Sequence, residues 1–184
     1  ASVRVSRTAP SERSHAPDNA GVSNRSLASA AARNNAEWCD AFSRTHGIAG
    51  RFHAAFWSSP VRTPPYYPDA VTLRPKIAVE HLLSSIDLGE GCSVKDSFAC
   101  LDLDAAGFRA LFRAEWVVSQ PAERRRVATR GWSVLTTEAQ LRAWEASWGE
   151  VPGETGFFRP ALIADERIAV VVRYGGNCVV AGAI

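Results

Sequence analysis

Residues 168–184 read IAVVVRYGGNCVVAGAI, two runs of mostly β-branched and small apolar residues that flank Gly175, Gly176 and Asn177. Glycine and asparagine adopt the positive φ of tight turns, so this stretch predicts an antiparallel β-hairpin. The second run, 179–184, is apolar at almost every position, which is typical of a strand that is covered on both faces and paired at both edges. Because the sequence stops at Ile184, we expect a sheet that lacks one of those neighbours.

The composition indicates ordinary globular material. The 184 residues are 46% hydrophobic and 22% charged, enough for one domain of ordinary size or two small ones. No run approaches the roughly 20 apolar residues of a membrane helix, and the N-terminus has no apolar signal region. We therefore expect a cytoplasmic protein that does not bind membranes.

The formal charge of +2 is spread along the chain, apart from Arg124, Arg125 and Arg126 with Arg130 nearby. A nucleic-acid-binding face normally has a broader basic stripe with exposed aromatic residues. The cluster favours a solvated loop, and we expect no nucleic-acid partner.

The four cysteines, Cys39, Cys92, Cys100 and Cys178, show neither CxxC spacing nor a nearby pair of histidines. Structural zinc sites draw ligands from such closely spaced pairs, so no metal site is expected. A disulfide framework is also not expected, because disulfides are rare in cytosolic proteins. Cys39 and Cys178 lie in apolar patterns and are predicted to be buried.

The first part of the chain divides by composition. Residues 1–33 are rich in Ser, Ala, Arg and Asn without a sustained apolar period, and they predict a disordered leader. Residues 34–120 predict an N-terminal α+β subdomain that begins with a helix, capped by Asn34 or Asn35 and ended by Gly47. A short strand is expected at 70–73, with a helix after Pro75. Residues 93–118 alternate on both sides of a turn and predict a hairpin.

Residues 121–130 predict a linker, and 131–184 a second domain. A strand at 132–135 is followed by Thr136 or Thr137 as helix N-cap, and Leu141, Trp144 and Trp148 fall on one helix face. A short helical turn at 157–164 precedes the terminal hairpin. The fold class is therefore α+β, with a mixed, mostly antiparallel sheet and packed helices.

The second strand of the terminal hairpin carries an apolar-apolar-small-Gly pattern at Val179, Val180, Ala181 and Gly182. With the preceding strand, helix and short helix, residues 131–184 resemble the opening half of the GNAT superfamily of N-acetyltransferases. Phrases such as RTPPYYPDAVTLRP and CSVKDSFACLDLDAAGF are similar to actinobacterial GNAT-like proteins across most of 35–184. The resemblance implies a partial GNAT-like fold, acyl-CoA-dependent N-acyl transfer and acetyl-CoA as the cofactor.

In that family a loop of the form Arg/Gln-x-x-Gly-x-Gly/Ala follows the fourth strand, and its amides bind the coenzyme pyrophosphate at a helix N-terminus. Residues 131–184 contain no such loop, and Gly175-Gly176 is explained as a hairpin turn. We expect an incomplete acyltransferase that is inactive alone, holds no cofactor and has no assignable catalytic residue.

The candidate substrate-binding residues are Asp96, Trp57, Tyr66 and Tyr67. Alternation places Asp96 on an apolar face, where a carboxylate needs a partner, so it could contact a polar substrate or act as a base. The alternative is a solvated carboxylate or one paired with an arginine. The three aromatic residues could line an acceptor pocket, or they could serve core packing and loop anchoring.

No Ser-His-Asp or Cys-His signature accompanies His46, His53 or His81. Two further functions stay open. The edge of 179–184 could pair with a second copy or another chain in a non-catalytic interaction module. The aromatic, proline-rich stretch 51–67 could also bind a small ligand together with Asp96.

Overall fold

The computed structural model describes residues 3–9, 24–117, 131–147 and 156–184, and it divides the chain into two compact units, Ala1–Ser119 and Gln120–Ile184. The fold class is α+β, as predicted. The predicted linker 121–130 with its arginine cluster lies outside the described residues, as does Trp148.

In its described residues, the first unit contains a mixed sheet and two helices. In chain order the elements are β1 Val3–Ala9, α1 Asn24–Thr45, β2 Arg51–Phe52, β3 Phe56–Ser58, β4 Ala70–Thr72, α2 Val79–Leu83, β5 Ser93–Asp96 and β6 Phe108–Glu115. The strand order is β2-β3-β4-β5-β1-β6. Neighbouring strands are antiparallel from β2 to β4 and parallel from β4 to β6.

The prediction of a disordered leader over 1–33 is wrong where the structure describes this region. Residues 3–9 form β1, and α1 begins at Asn24, ahead of the predicted caps Asn34 and Asn35. The buried stripe of α1 starts with small side chains, Ala28, Ala32 and Ala36, before Cys39 and Phe42 continue it. Alanine spaced by four residues allows close packing, but it gives a weak apolar signal in the sequence. The predicted helix end is confirmed, since α1 stops at Thr45 and Gly47 has a φ of 79°.

The hairpin predicted over 93–118 is also wrong. Both predicted strands form, as β5 and β6, but each pairs in parallel with β1, which lies between them. Two predicted strands on either side of a turn signal look like a hairpin, because the sequence cannot show that a distant segment inserts between them. A 3₁₀ turn at Asp104–Ala106 and Gly107, with a φ of 81°, leads into β6.

The sheet of the first unit has a separate core on each face. The core with α1 contains Ala36, Cys39, Trp57, Val71 and Leu73. The core with α2 includes Phe56, Ala70, Leu82, Val94 and Phe108. Successive residues of a strand point to opposite faces, so β3 and β4 contribute to both cores.

The second unit consists of β7 Trp132–Val134, α3 Glu138–Ala146, a 3₁₀ turn Pro160–Leu162, β8 Val171–Gly175 and β9 Cys178–Ala183. The strands form an antiparallel sheet in the order β7-β8-β9. The predicted terminal hairpin is confirmed, and Gly176 in its turn has a φ of 63°.

Local signals in the second unit correspond closely to the structure. Thr137 caps α3: its side chain accepts from the Gln140 N–H, and the Gln140 side chain accepts in return from the Thr137 N–H. Leu141 and Trp144 are buried on the predicted face. Cys178 is exposed rather than buried, because it directly follows the turn at the outer end of β9.

Among the helices that the structure describes, none has the length and apolar character needed to cross a membrane.

Candidate functional site

Asp96 ends β5 and is fully buried. Its Oδ2 accepts a hydrogen bond of 2.8 Å from the Leu101 N–H. Its Oδ1 accepts from the Phe98 N–H at 3.2 Å and from the Thr72 hydroxyl at 3.4 Å. These donors all belong to the protein, and two of them lie in the loop that leaves β5. The carboxylate is therefore placed to fix that loop.

Trp57 and Tyr67 belong to the core that contains α1. Trp57 is fully buried, and its indole N–H donates to Asp40 Oδ1 at 3.1 Å. Tyr67 is partly buried and stacks on Phe42, with ring centroids 3.9 Å apart and planes 6° apart. This arrangement matches the packing alternative for both residues.

Tyr66 differs from the other aromatic candidates, since 82% of it is exposed. Its φ of 71° is unusual for a bulky residue and arises in the turn after Pro64 and Pro65. This backbone conformation directs the Tyr66 ring into solvent, while the Tyr67 ring packs into the core with α1.

The structure does not bring the four predicted residues together. On β4, Val71 is paired with Trp57 and Lys95, on the face that packs against α1. The next residue, Thr72, points to the opposite face and bonds to Asp96. The sheet therefore lies between Asp96 and both Trp57 and Tyr67.

The proline-rich loop 59–69, between β3 and β4, is held by a buried carboxylate that the sequence analysis missed. Asp69 accepts from the Thr63 N–H and the Ser93 N–H, both at 2.9 Å, and pairs with Arg62. Arg62 also donates to the carbonyl oxygens of Asp87 and Gly89, each at 3.0 Å. These bonds join the loop before β4 to residues 87–93, which are far away in the sequence. No local sequence pattern predicts them.

A cavity of about 250 Å³ lies between the β2–β3 hairpin and the end of α2. Antiparallel pairing places Arg51 directly opposite Ser58 on the hairpin side. On the other side, the hydroxyls of Ser84 and Ser85 donate to the His81 carbonyl oxygen at 3.1 and 2.7 Å. The lining residues are Arg51, His53, Ser58, Pro60, Ser84, Ser85 and Ile86.

His53 lines this cavity and is held by its neighbours. Its Nε2 lies 3.2 Å from Ser58 Oγ, and its ring stacks on Phe56 at a centroid distance of 4.3 Å. The His81 ring meets it edge-on at 5.2 Å. Partial burial, and then the neighbouring His81 and Arg51, lower the pKa of His53, which favours the neutral imidazole at neutral pH. The sequence analysis set His53 aside because no Ser-His-Asp or Cys-His signature accompanies it, and it did not predict the β2–β3 hairpin that brings Ser58 to the ring.

Lys95 lies on the α1 face of the sheet. Its Nζ is 4.8 Å from the centre of the Trp116 ring, and the Trp116 indole N–H donates to the Ser97 carbonyl oxygen at 3.0 Å. Burial lowers the pKa of Lys95. Burial also raises the pKa of Cys39 to about 12, so this thiol is a poor nucleophile in the folded chain.

In the second unit, Glu145 fastens the segment that follows α3. It accepts from the Phe158 N–H at 2.9 Å, the Gly156 N–H at 3.0 Å and the Arg142 guanidinium at 2.7 Å. Burial opposes ionisation, but these donors prevail and lower the pKa of Glu145. The residue is therefore a structural anion.

Comparison of the chain with protein-family models, curated proteins and solved structures gives no match. Within the described ranges, His, Cys, Asp and Glu form no group of three or more that could hold a metal ion.

Proposed function

We propose that residues 131–184 form the opening part of a GNAT-like acyl-CoA-dependent N-acyltransferase domain. The observation that carries this proposal is the connectivity of the second unit: strand, helix, 3₁₀ turn and antiparallel hairpin, with β8 between β7 and β9. This order agrees with what the resemblance implies for the same residues.

Packing around Gly182 gives the small-residue pattern of β9 a physical reason. A Cβ at this position would overlap the indole nitrogen of Trp144, which projects from α3. The glycine thus lets the helix approach the strand closely. This packing accounts for the glycine of the apolar-apolar-small-Gly pattern on which the resemblance depends.

The second unit's glycine pair does not fit the pyrophosphate of a coenzyme. Gly175 ends β8 and Gly176 lies in the turn that leads into β9, whereas a phosphate site of this family needs amides at a helix N-terminus. No described residue of 131–184 is therefore assigned to acetyl-CoA.

The test compares this chain with the complete coding region that contains it. We expect the complete product to release free thiol from acetyl-CoA in the presence of amines, as measured with a thiol reagent. The 184-residue chain should give no calorimetric heat with micromolar acetyl-CoA. Saturable heat from this chain would refute the absence of a coenzyme site. Failure of the complete product to consume any acyl-CoA with any amine would refute the acyltransferase proposal.

A second candidate function is a non-catalytic module that pairs through β9, and exposure of that strand favours it. Val180 is 59% exposed, and every residue of β9 is at least partly exposed within the described unit. Two copies could pair edge to edge by main-chain hydrogen bonds. Sedimentation should then show a dimer that Val180→Lys disperses. Val134→Lys, at a 54% exposed valine of β7, is the matched control. A strictly monomeric native chain would contradict this candidate.

We also propose a cytoplasmic location. The four cysteines lie in described segments and none forms a disulfide, as is usual in a reducing compartment. Fractionation of the source cells with an antibody to the chain would test this, and recovery outside the cytoplasmic fraction would contradict it.

A further inference from the structure

The cavity beside His53 has the charge of an anion site. Arg51 is its one formally charged lining residue at neutral pH, because no Asp or Glu is among the lining residues and the pKa of His53 is lowered. Arg51 is exposed, and among the described residues it takes part in no ion pair, so its guanidinium can meet an anion from solvent. A planar guanidinium matches a carboxylate through two parallel hydrogen bonds.

The hydroxyl groups divide the cavity into a donating side and an accepting side. When His53 carries its proton on Nε2, it donates to Ser58 Oγ, and the Ser58 hydroxyl hydrogen can then turn toward an anion at Arg51. The Ser84 and Ser85 hydroxyls both donate to the His81 carbonyl oxygen. Their oxygen lone pairs can therefore accept a hydrogen bond from a donor group of the ligand.

The cavity is small, about 250 Å³, and it is open to solvent because Arg51, Pro60 and Ser84 are exposed. It can therefore contact a small ligand on one side without enclosing it. Pro60 and Ile86 supply an apolar part of the wall. The site therefore suits a compact molecule with a short carbon chain.

We propose that this cavity binds a small organic carboxylate that also carries a hydroxyl or ammonium donor. The carboxylate lies against Arg51 and Ser58, the carbon chain against Ile86 and Pro60, and the donor group faces Ser84 and Ser85. The site lies wholly in the first unit and does not depend on the acyltransferase proposal.

Binding is measured on the purified 184-residue chain by NMR, with L-lactate as the probe. Propionate, which lacks the donor group, and inorganic phosphate serve as comparison ligands. We expect saturable shifts of the Arg51 and His53 side-chain signals with a dissociation constant of about 1 mM or tighter, and at least several-fold weaker binding of propionate. A bound carboxylate should also raise the pKa of His53 in a pH titration, because a nearby negative charge favours the imidazolium.

Arg51→Gln should weaken lactate binding at least about tenfold, which is about 1.4 kcal/mol. Arg74→Gln is the matched control, since Arg74 is an exposed arginine of the same unit outside the lining. The proposal is overturned if lactate gives no saturable shift up to about 10 mM. Equal effects of the two substitutions would also overturn it, as would phosphate binding in place of either carboxylate.

Discussion

Replacing Asp96 by asparagine distinguishes a loop-fixing carboxylate from a substrate-binding one. Asparagine has nearly the same shape but presents an NH₂ group in place of one oxygen. The native oxygens accept from the Leu101 and Phe98 amides at 2.8 and 3.2 Å. The Asp96→Asn side chain must therefore lose at least one of these bonds. Its NH₂ group then points at a backbone N–H, so two hydrogen-bond donors oppose each other.

The expected loss follows from the burial and the number of bonds. A hydrogen bond to a charged group contributes about 1.5–3 kcal/mol, and a buried donor left without a partner costs about 1–3 kcal/mol. Since Asp96 is only 1% exposed, water cannot replace the lost acceptor. We expect Asp96→Asn to lower the free energy of unfolding of the first unit by about 2–4 kcal/mol, a large part of the roughly 5–15 kcal/mol of a typical domain.

Urea unfolding gives the global effect, and amide hydrogen exchange of Phe98 and Leu101 gives the local one. Asp102→Asn is the control, because Asp102 lies on the same connection but is exposed and accepts one bond of 3.2 Å from the Asp104 amide. It should change stability by less than about 0.5 kcal/mol. If Asp96→Asn is equally mild and leaves both amides protected, the loop-fixing role is refuted.

Three further perturbations test the second unit and one tests the first. Gly182→Ala should destabilise the second unit by about 1–3 kcal/mol through overlap with Trp144, and a native-like melting curve would contradict this packing. Thr137→Ala should cost about 1 kcal/mol because α3 loses its cap, and unchanged denaturation would contradict that. Glu145 has a lowered folded pKa, so its contribution is present above the unfolded pKa of about 4.3 and is lost as pH falls through the folded value. The free energy of unfolding of the Glu145→Gln variant should therefore fall less steeply with decreasing pH than that of the native chain. Identical acid profiles of the two would contradict this. At pH 8, iodoacetamide should modify the exposed cysteines but spare Cys39, whose pKa is about 12, and rapid labelling of native Cys39 would contradict its burial.

The candidate site shows where sequence reasoning reaches its limit. Alternation placed Asp96 on an apolar face where a carboxylate needs a partner, and it left open a substrate contact or a solvated or arginine-paired carboxylate; the structure buries Asp96 against main-chain amides. Its partners are main-chain amides that reach it only after the chain bends back, so the pattern could not separate a substrate contact from a loop anchor. The cavity went unnoticed because Arg51, Ser58 and Ser84 come together only through a hairpin and a crossover helix.

By itself the sequence determined the features that depend on neighbouring residues. The terminal hairpin follows from the positive φ that glycine allows, and the start of α3 follows from the Thr137 cap. Only the tertiary structure decided that β1 lies between β5 and β6. It also decided that small alanines of α1 form a buried stripe. The reason is physical: turn and capping preferences arise within a few bonds, whereas strand order and burial depend on which distant surfaces exclude water together.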